Sequence, residues 1–316
     1  MTSRRRAAGT ALITHDDCFA HKMPEGHPEC AARLDAVLNA LEGKELIRCD
    51  APLAKDSDLA PLHPQAHLDR LEAMVPERGG ISIDGDTWMS PGTMRAARRG
   101  AGGAILGVQM VMAGQAQNAF VATRPPGHHA EASQAMGFCF LCGAAVAARY
   151  ALDHHGLTRV AIIDFDVHHG NGTQALTEDD PRIMYLSAHQ MPLFPGTGDP
   201  SETGADGTVV NVALRDGCGS AAFRAAMSDV ILPAAAAFRP ELLIVSAGFD
   251  AHRADPLAGL MLDTADFTWI SEALCDLAGE HCEGRLVSVL EGGYDLNALA
   301  TCAAAHVDVL IARSRA

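Results

Sequence analysis

The hydrophobic and polar positions of this chain follow two spacings, one typical of strands and one typical of helices. Short apolar runs rich in β-branched residues favour buried strands, and longer stretches with apolar residues every three or four positions favour helices. Because the two kinds alternate, we expect a mainly parallel sheet covered by helices on both faces. The predicted strands are 119–122, 160–163, 183–186, 209–214, 242–245 and 286–290.

The predicted helices lie before and between these strands. Leu34, Val37, Leu38 and Leu41 keep helical spacing, and Gly43 offers a stop. The chain has no linker, low-complexity block or internal repeat, so its 316 residues predict one three-layer α/β/α domain over residues 1–316. The other predicted helices are 93–112, 143–153, 220–238, 265–282 and 296–312.

The composition is that of a globular protein with an acidic balance. Hydrophobic residues make up 48% of the chain and charged residues 20%, which excludes a disordered protein. The net charge of −15 argues against nonspecific nucleic-acid binding and is compatible with cationic substrates such as lysine-bearing tails or polyamines. We therefore expect no nucleic-acid partner.

The sequence also bears on location and on the state of the cysteines. The apolar stretches fall short of a membrane span, and the run after Arg4, Arg5 and Arg6 is too short for a signal peptide, so we expect a cytoplasmic protein without a membrane partner. Nine cysteines without framework spacing predict reduced thiols, and we interpret the pair Cys139 and Cys142 as packed thiols. Whether the chain forms a homo-oligomer stays open.

Each of the five main strands is followed by a polar sequence. In open α/β sheets, ligands bind at the carboxyl ends of the strands, so we expect one active site to which all five contribute. The five polar sequences are 124–129 (RPPGHH), 164–169 (DFDVHH), 187–189 (SAH), 246–250 (SAGFD) and 291–294 (EGGY).

The second and fourth of these sequences predict a metal site. Strand alternation would direct Asp164, Asp166 and His168 to one side of the chain, and Asp250 follows another apolar strand. Asp166, His168 and Asp250 would leave a coordination position open, as catalytic zinc sites do, although Fe(II), Co(II) and Mn(II) also suit this set. The alternative is that Asp250 caps the following helix or turn.

The remaining polar residues predict acid–base chemistry. His128 and His129 follow a rigid Pro-Pro-Gly turn, and Asp164 and Asn171 are candidate partners that would orient their rings. The phenol of Tyr294 could donate a hydrogen bond to a polarised carbonyl, unless it is an ordinary core residue. With a metal that activates water, these groups predict hydrolysis of an amide.

These motifs resemble those of the zinc-dependent histone deacetylase superfamily, which shares its fold with arginase, and in particular its class II branch with bacterial deacetylase-like amidohydrolases. They occur in the family's order and extend over most of the chain. The matching segments are 27–29 with Arg33, 124–131 (RPPGHHAE), 137–141 (GFCFL), 164–174 (DFDVHHGNGTQ), 194–199 (FPGTGD), 245–250 (VSAGFD), 255–257 (DPL) and 290–294 (LEGGY).

The resemblance implies a role for each residue of the site. It places zinc on Asp166, His168 and Asp250, makes His128 and His129 the tandem catalytic histidines with His129 as the general base, and lets Tyr294 polarise the acetyl carbonyl. Asp164 would support His128 and Asn171 would face His129. The implied channel for the acyl-lysine stem is lined by Gly137, Phe138 and Phe194.

The resemblance also implies a structural potassium ion and a substrate class. Asp164 and Ser187, with the backbone of Asp166 and His168, match the potassium site, and Arg33 matches an arginine in a channel beneath the metal. Leu257 stands where polyamine-preferring relatives carry an acidic residue. The implied substrate is therefore an acetylated lysine of a peptide or protein.

Three other functions stay open. The first is hydrolysis of acetylpolyamines or other small acylated amines, for which Glu25 could supply the acidic group, although we interpret Glu25 as a solvated loop charge. The second is a two-manganese ureohydrolase similar to arginase, which would need further Asp or His ligands. The third is a scaffold that binds without catalysis, which the intact set of catalytic residues disfavours.

Overall fold

The structure, a computed structural model, describes residues 9–315, so the arginine run at 4–6 lies outside the described residues. In that range, eight strands form one parallel sheet in the order β2-β1-β5-β10-β9-β6-β7-β8, and β3 and β4 form a small antiparallel pair. The strands are β1 (Thr10–Thr14), β2 (Ile47–Asp50), β3 (Ile81–Ser82), β4 (Trp88–Met89), β5 (Asn118–Val121), β6 (Val160–Asp164), β7 (Ile183–Gln190), β8 (Val209–Leu214), β9 (Leu242–Ala247) and β10 (Leu286–Leu290).

Helices cover both faces of the sheet, so the predicted three-layer α/β/α fold is confirmed. A π-helical turn, Met227–Ile231, joins α7 to α8. The helices are α1 (Ala31–Ala40), α2 (Asp56–Leu59), α3 (Gln65–Met74), α4 (Thr93–Met112), α5 (Gly143–His155), α6 (Asn171–Thr177), α7 (Ser220–Ala226), α8 (Leu232–Phe238), α9 (Thr264–His281) and α10 (Leu296–Ser314), with 3-10 turns at Asp16–Ala20 and Ala205–Gly207.

The alternation of side chains along a central strand explains the two apolar layers. On β6, Ala161 and Ile163 belong to the core shared with α1, α7, α8, α9 and α10, whereas Val160 and Ile162 belong to the core shared with α4 and α5. All of these side chains are fully buried. A strand with both faces covered has a continuous apolar run, which is why the sequence pattern predicts it.

The predicted elements are present, but the first part of the sheet was not predicted. Strand β2 is an edge strand whose residues alternate between half-buried and exposed, so it lacks the apolar run of a central strand. The adjoining strand β1 is buried, but its sequence, TALIT, has a run of only three apolar residues between two threonines. The predicted helix 220–238 is also divided, because the π-helical turn separates α7 from α8.

Two helical stretches meet the length and composition of a membrane span, which contradicts the expectation that the apolar stretches are too short. They are Ser220–Phe238 and Leu296–Ser314, with mean hydropathies of 1.3 and 1.2. The first is interrupted by the π-helical turn. The second, α10, buries Leu299 and Val307 in the core beside α1 and α9, so packing in the domain accounts for its apolar character.

Candidate active site

The five strands whose ends carry the polar sequences are neighbours in the sheet. Their order is β5-β10-β9-β6-β7, so the segments that follow them meet at one edge. All the strands of this sheet run parallel, and their carboxyl ends therefore lie on the same side. The structure brings the predicted site residues together at this edge.

Asp166, His168 and Asp250 form a buried group whose donor atoms all lie within 4.8 Å of one another. The Nδ1 atom of His168 is 3.2 Å from Oδ1 of Asp166 and 3.1 Å from Oδ2 of Asp250. Strand β6 ends at Asp164, so strand alternation does not continue through these residues as predicted. Instead, Asp164 Oδ1 accepts a hydrogen bond from the backbone of Asp166, and Asp166 Oδ1 accepts one from the backbone of His168.

Backbone donors fix the orientation of both carboxylates. Oδ2 of Asp166 accepts a hydrogen bond from Gly292 at 2.8 Å, and Oδ1 of Asp250 accepts one from Val167 at 2.9 Å. A Cβ atom at Gly292 would collide with the carboxylates of Asp250 and Asp166, so only glycine permits this approach. Asp250 therefore binds the loop after β6, rather than only capping the turn that follows it.

The charges of this group fit a divalent cation. Burial raises the pKa of Asp250, and the neighbouring Asp166 raises it further, to about 7. Burial alone would lower the pKa of His168, but the two carboxylates raise it to about 10. Two buried carboxylates and one imidazole supply three donors and leave coordination positions open, as in catalytic zinc sites.

The adjacent histidines His128 and His129 lie beside this group and have different partners. Nδ1 of His128 is 3.0 Å from Oδ2 of Asp164, whereas Nδ1 of His129 is 2.8 Å from Oδ1 of Asn171. Burial would lower the pKa of His128, but Asp166 and Asp164 raise it well above its ordinary value. Burial lowers the pKa of His129 well below its ordinary value, and the imidazoles of His128 and His168 lower it further.

The buried carboxylate of Glu291, whose contacts were not predicted from the sequence, holds the segment of the tandem histidines. Oε2 of Glu291 accepts hydrogen bonds from the backbone N–H groups of Gly127, at 2.7 Å, and His128, at 3.2 Å. Burial raises the pKa of Glu291 to about 7. Arg33 donates to the carbonyl groups of Glu291 and Gly293, both at 2.6 Å, and so holds the backbone on both sides of Gly292.

A second missed carboxylate holds that arginine. Oε1 of Glu29 accepts from Arg33 at 3.2 Å, and Arg124 donates to both of its oxygens, at 2.9 and 2.6 Å. Burial raises the pKa of Glu29, but Arg124 outweighs it, and the pKa lies well below its ordinary value. Glu29, Arg33 and Arg124 all occur in the matching motifs, yet the sequence does not reveal that they form one buried network.

Tyr294 lines a cavity of about 190 Å³ above the metal-binding group. Its backbone N–H donates to Asp255 at 2.7 Å, and the guanidinium carbon of Arg33 lies 4.8 Å from its ring centre. Burial raises the pKa of the Tyr294 phenol well above its ordinary value, although Arg33 opposes the shift. The residues that line the cavity are Asp86, His129, Gly137, Phe138, His168, Leu193, Phe194, Leu257 and Tyr294.

The four residues predicted to contact substrate all line this cavity. Gly137 has a φ of 55°, and a Cβ atom there would collide with His129 and crowd Phe194, so glycine is required. The ring centre of Phe194 lies 5.1 Å from that of His129. Phe138 also has a positive φ, 68°, and Thr87 Oγ1 accepts its backbone hydrogen bond at 3.1 Å. The fourth residue is Leu257.

One acidic residue of the cavity, Asp86, was not predicted. It lies in the loop between β3 and β4, and its carbonyl is 3.1 Å from Nε2 of His27. Burial raises the pKa of Asp86, and Asp84 raises it further. Glu25, the acidic residue weighed for small-amine substrates, is an exposed loop residue.

Ser187 is buried next to the site, on β7. Nε2 of His189 faces the carbonyl of Gly198 at 3.1 Å, so this nitrogen carries the proton and Nδ1 accepts from the Ser187 hydroxyl at 2.9 Å. The hydroxyl oxygen therefore keeps its lone pairs. Cys139 and Cys142 are free and buried, in agreement with the interpretation as packed thiols.

A larger cavity, of about 460 Å³, lies at the opposite edge of the sheet. It is bounded by Asn118 and Leu286 at the starts of β5 and β10 and by Asp276 and Arg313 on α9 and α10. None of the predicted metal-binding or catalytic residues lines it. Its volume alone does not make it the catalytic site, because the chemistry lies at the carboxyl ends of the strands.

Comparisons with known proteins agree with this geometry. A family model described as the histone deacetylase domain matches residues 27–310. The chain is 41% identical over 304 residues to Histone deacetylase 10, chloroplastic, of Oryza sativa subsp. japonica, covering 89% of this chain and 68% of that protein. It is also 41% identical over 289 residues to Histone deacetylase-like amidohydrolase of Pseudomonas aeruginosa, covering 90% of this chain and 76% of that protein.

Solved structures give the same result. The crystal structure of the HDA15 HD domain superposes with a TM-score of 0.91 at 34% sequence identity, covering 96% of this chain and 88% of that one. The family is zinc-dependent in general, and its members are hydrolases of amide bonds. The resemblance noted in the sequence motifs is thus confirmed, and the chain belongs to the histone deacetylase family.

Proposed function

We propose that this protein is a zinc-dependent deacetylase that removes acetyl or related acyl groups from lysine side chains of peptides or proteins. The observation that carries the proposal is that His129, His168 and Tyr294 line one cavity and that His168 forms a group of metal donors with Asp166 and Asp250. Metal donors, a proton acceptor and a hydrogen-bond donor are the groups that amide hydrolysis requires. The residues Asp166, His168 and Asp250 would hold the zinc ion.

A bound zinc ion would supply Lewis-acid activation of water and of the amide carbonyl. Because Nδ1 of His129 donates to Asn171, its Nε2 carries no proton in the neutral ring and can accept one. His129 lines the cavity, so we assign it the role of general base, which later returns the proton to the leaving amine. Tyr294 donates a hydrogen bond to the developing oxyanion.

The shape of the cavity favours an extended aliphatic stem. Phe138 and Phe194 present their rings to a space of about 190 Å³, which suits the methylene chain of lysine and excludes water from the reacting amide. Leu257 extends this apolar lining. The stem of an acylated lysine thus finds an apolar environment, while its amide reaches the polar floor.

The position of Asp86 in the cavity lining also supports a second substrate class, small acylated amines. The carboxylate of Asp86 belongs to the cavity lining and could accept from the backbone N–H of a peptide or from the free amine of an acetylated polyamine. Lysine in a peptide offers the first kind of donor, and N-acetylputrescine offers the second. The alternative function is therefore hydrolysis of acetylpolyamines or other small acylated amines.

The remaining expectations from the sequence also stand as proposals. Asp164 and Ser187, with the backbone of Asp166 and His168, would hold a potassium ion, and their oxygen atoms are ligands that suit such a cation. We further propose that residues 1–316 form one catalytic domain that acts in the cytoplasm on acylated substrates, without a nucleic-acid or membrane partner. Association into a homo-oligomer stays an open prediction.

Steady-state kinetics of the zinc-loaded protein tests the proposal. Acetyl-lysine peptides are compared with N-acetylputrescine, and we expect the higher kcat/KM on the peptides. A much higher kcat/KM on the polyamine would overturn the peptide function. Asp86→Asn should then lower kcat/KM most on that cationic substrate, because it removes a carboxylate from a residue of the cavity lining.

The mechanism is tested by Tyr294→Phe. We expect kcat to fall by about 10²- to 10³-fold, since the oxyanion loses its donor while the aromatic ring remains. Tyr150→Phe is the matched control, because the Tyr150 hydroxyl accepts from Gln109 on α4, away from the cavity. Unchanged turnover of Tyr294→Phe would contradict the assigned role.

A further inference from the structure

The side chain of Asn171 connects His129 to a carboxylate that the proposed mechanism does not use. Oδ1 of Asn171 lies 2.8 Å from Nδ1 of His129, and Nδ2 of Asn171 lies 2.8 Å from Oε1 of Glu131. Glu131 is half-buried and follows the tandem histidines by two residues. A carboxylate can only accept hydrogen bonds, so it requires the NH₂ end of the amide to face it.

We propose that Glu131 is a positioning residue that fixes the rotation of the Asn171 amide and, through it, the tautomer of His129. This inference rests on the proposed function and extends it by one residue. With Glu131 on one side, the amide oxygen must face His129, and Nδ1 of His129 must carry the proton. Nε2 is then free to accept a proton in the cavity.

The opposite rotation of the amide would disable the base. An amide nitrogen facing His129 would donate to Nδ1, so the neutral ring would carry its proton on Nε2. That ring could not take a proton from water. The two rotations of an amide are nearly equal in shape, and only hydrogen-bond partners distinguish them.

Other groups near the Asn171 amide nitrogen are weaker acceptors. The sulfur of Met136 lies at 3.4 Å, and the carbonyl of His129 lies at 3.5 Å. Thioether sulfur is a weak acceptor, whereas a carboxylate is a strong one. Glu131 therefore supplies most of the preference for one rotation.

The backbone of Glu131 is itself held in place. Its N–H donates to the carbonyl of Gln134 at 3.0 Å, and its carbonyl accepts from Nδ1 of His63 at 3.2 Å. Nε2 of His63 accepts from the backbone of Cys142 at 3.0 Å. The side chain of Glu131 thus extends from a fixed backbone, and a residue that orients another side chain requires such support.

An exchange of the two side-chain types provides the sharpest test. Asn171→Asp alone would place two carboxylates against each other, and we expect kcat to fall about 100-fold. Combining it with Glu131→Gln restores a donor–acceptor pair. The NH₂ group of the glutamine can donate to one oxygen of the new aspartate, while the other oxygen of that aspartate accepts from His129. We expect the double variant to regain at least about tenfold in kcat over Asn171→Asp, with KM changed little.

Independent sites would give another result. If Glu131 and Asn171 do not act on each other, the loss in the double variant equals the product of the losses in Asn171→Asp and Glu131→Gln. That outcome would overturn the inference. Exposed Glu77, changed to Gln, is the control for loss of one negative charge and should leave kcat unchanged.

The tautomer can be read directly in the zinc-loaded protein. Long-range ¹H–¹⁵N spectra, with His129 assigned by its absence in His129→Ala, should show the proton on Nδ1 in the natural chain and a gain of the Nε2–H form in Glu131→Ala. An unchanged tautomer in Glu131→Ala would overturn the inference. This readout needs no turnover, so a chain that fails to deacetylate any substrate refutes the proposed function while the spectra still decide the role of Glu131.

Discussion

His128 and His129 are adjacent in the chain, both are almost fully buried, and their ring centres lie 4.0 Å apart, yet their surroundings differ sharply. His128 contacts a carboxylate directly, at Asp164. His129 contacts the neutral amide of Asn171, and a carboxylate lies only beyond that amide. Partners one hydrogen bond away therefore determine what two identical side chains can do.

The difference extends to the groups behind each ring. Nε2 of His128 lies 3.8 Å from Oδ1 of Asp166, and the backbone of His128 donates to Glu291, so three carboxylates surround this residue. His129 has an aromatic neighbour, Phe194, and the cavity. These surroundings suit His128 to a charged, stabilising role and His129 to proton transfer.

Removing each ring in turn should give the largest difference between the two histidines. We expect His129→Ala to lower kcat about 10³-fold, or about 4 kcal/mol, because the chain loses its general base. His128→Ala should cost roughly tenfold less, since it removes stabilisation but no proton acceptor. Steady-state kinetics at equal zinc content decides between them.

A zinc determination on each variant is the necessary control. A variant that loses its metal would lose activity for a different reason, so only zinc-loaded preparations are compared. Equal losses in the two alanine variants would mean that both rings transfer protons. A larger loss in His128→Ala would reverse the assignment.

Changing the partner rather than the ring gives a smaller effect. In Asp164→Asn, the side-chain oxygen can still accept from the backbone of Asp166, but the amide nitrogen then faces His128 and Tyr185, which both present donors. We expect kcat to fall roughly 10- to 100-fold. Exposed Asp308→Asn is the matched control.

This variant separates the charge of Asp164 from the packing around it. The replacement is isosteric, so the free energy of unfolding in urea should change less than it would after removal of the side chain. A variant with full activity would show that His128 needs no charged partner. The different partners of His128 and His129 would then not explain their different roles.

The sequence predicted the fold and the contact residues of the site better than the residues behind them. Asp250 could be assigned because a carboxylate after a buried apolar strand is costly unless it is paired, caps a helix or binds a metal. Glu131 and Glu291 also stand in the matching motifs, but a motif does not reveal which atom a carboxylate faces. Asp86 lies in a loop between two-residue strands, where no periodic pattern points to the cavity.

Another buried histidine, His306, has hydroxyl groups as partners where His128 has a carboxylate and His129 an amide. Its ring nitrogens lie 2.6 Å from the hydroxyl of Ser271 and 2.9 Å from that of Ser288, and burial lowers its pKa to about 4. The unfolded chain, with an ordinary pKa near 6.5, binds the proton first as the pH falls.

The stabilising contribution of neutral His306 should therefore be complete above about pH 6.5 and be lost as the pH falls toward 4, by at most about 3 kcal/mol. His306→Gln should flatten the dependence of unfolding free energy on pH in this window, with little effect on kcat because the residue lies outside the cavity. Urea unfolding at a series of pH values measures both curves. Parallel curves would mean that folding does not shift the pKa of His306, and its two hydroxyl partners would then not favour the neutral ring as an amide does.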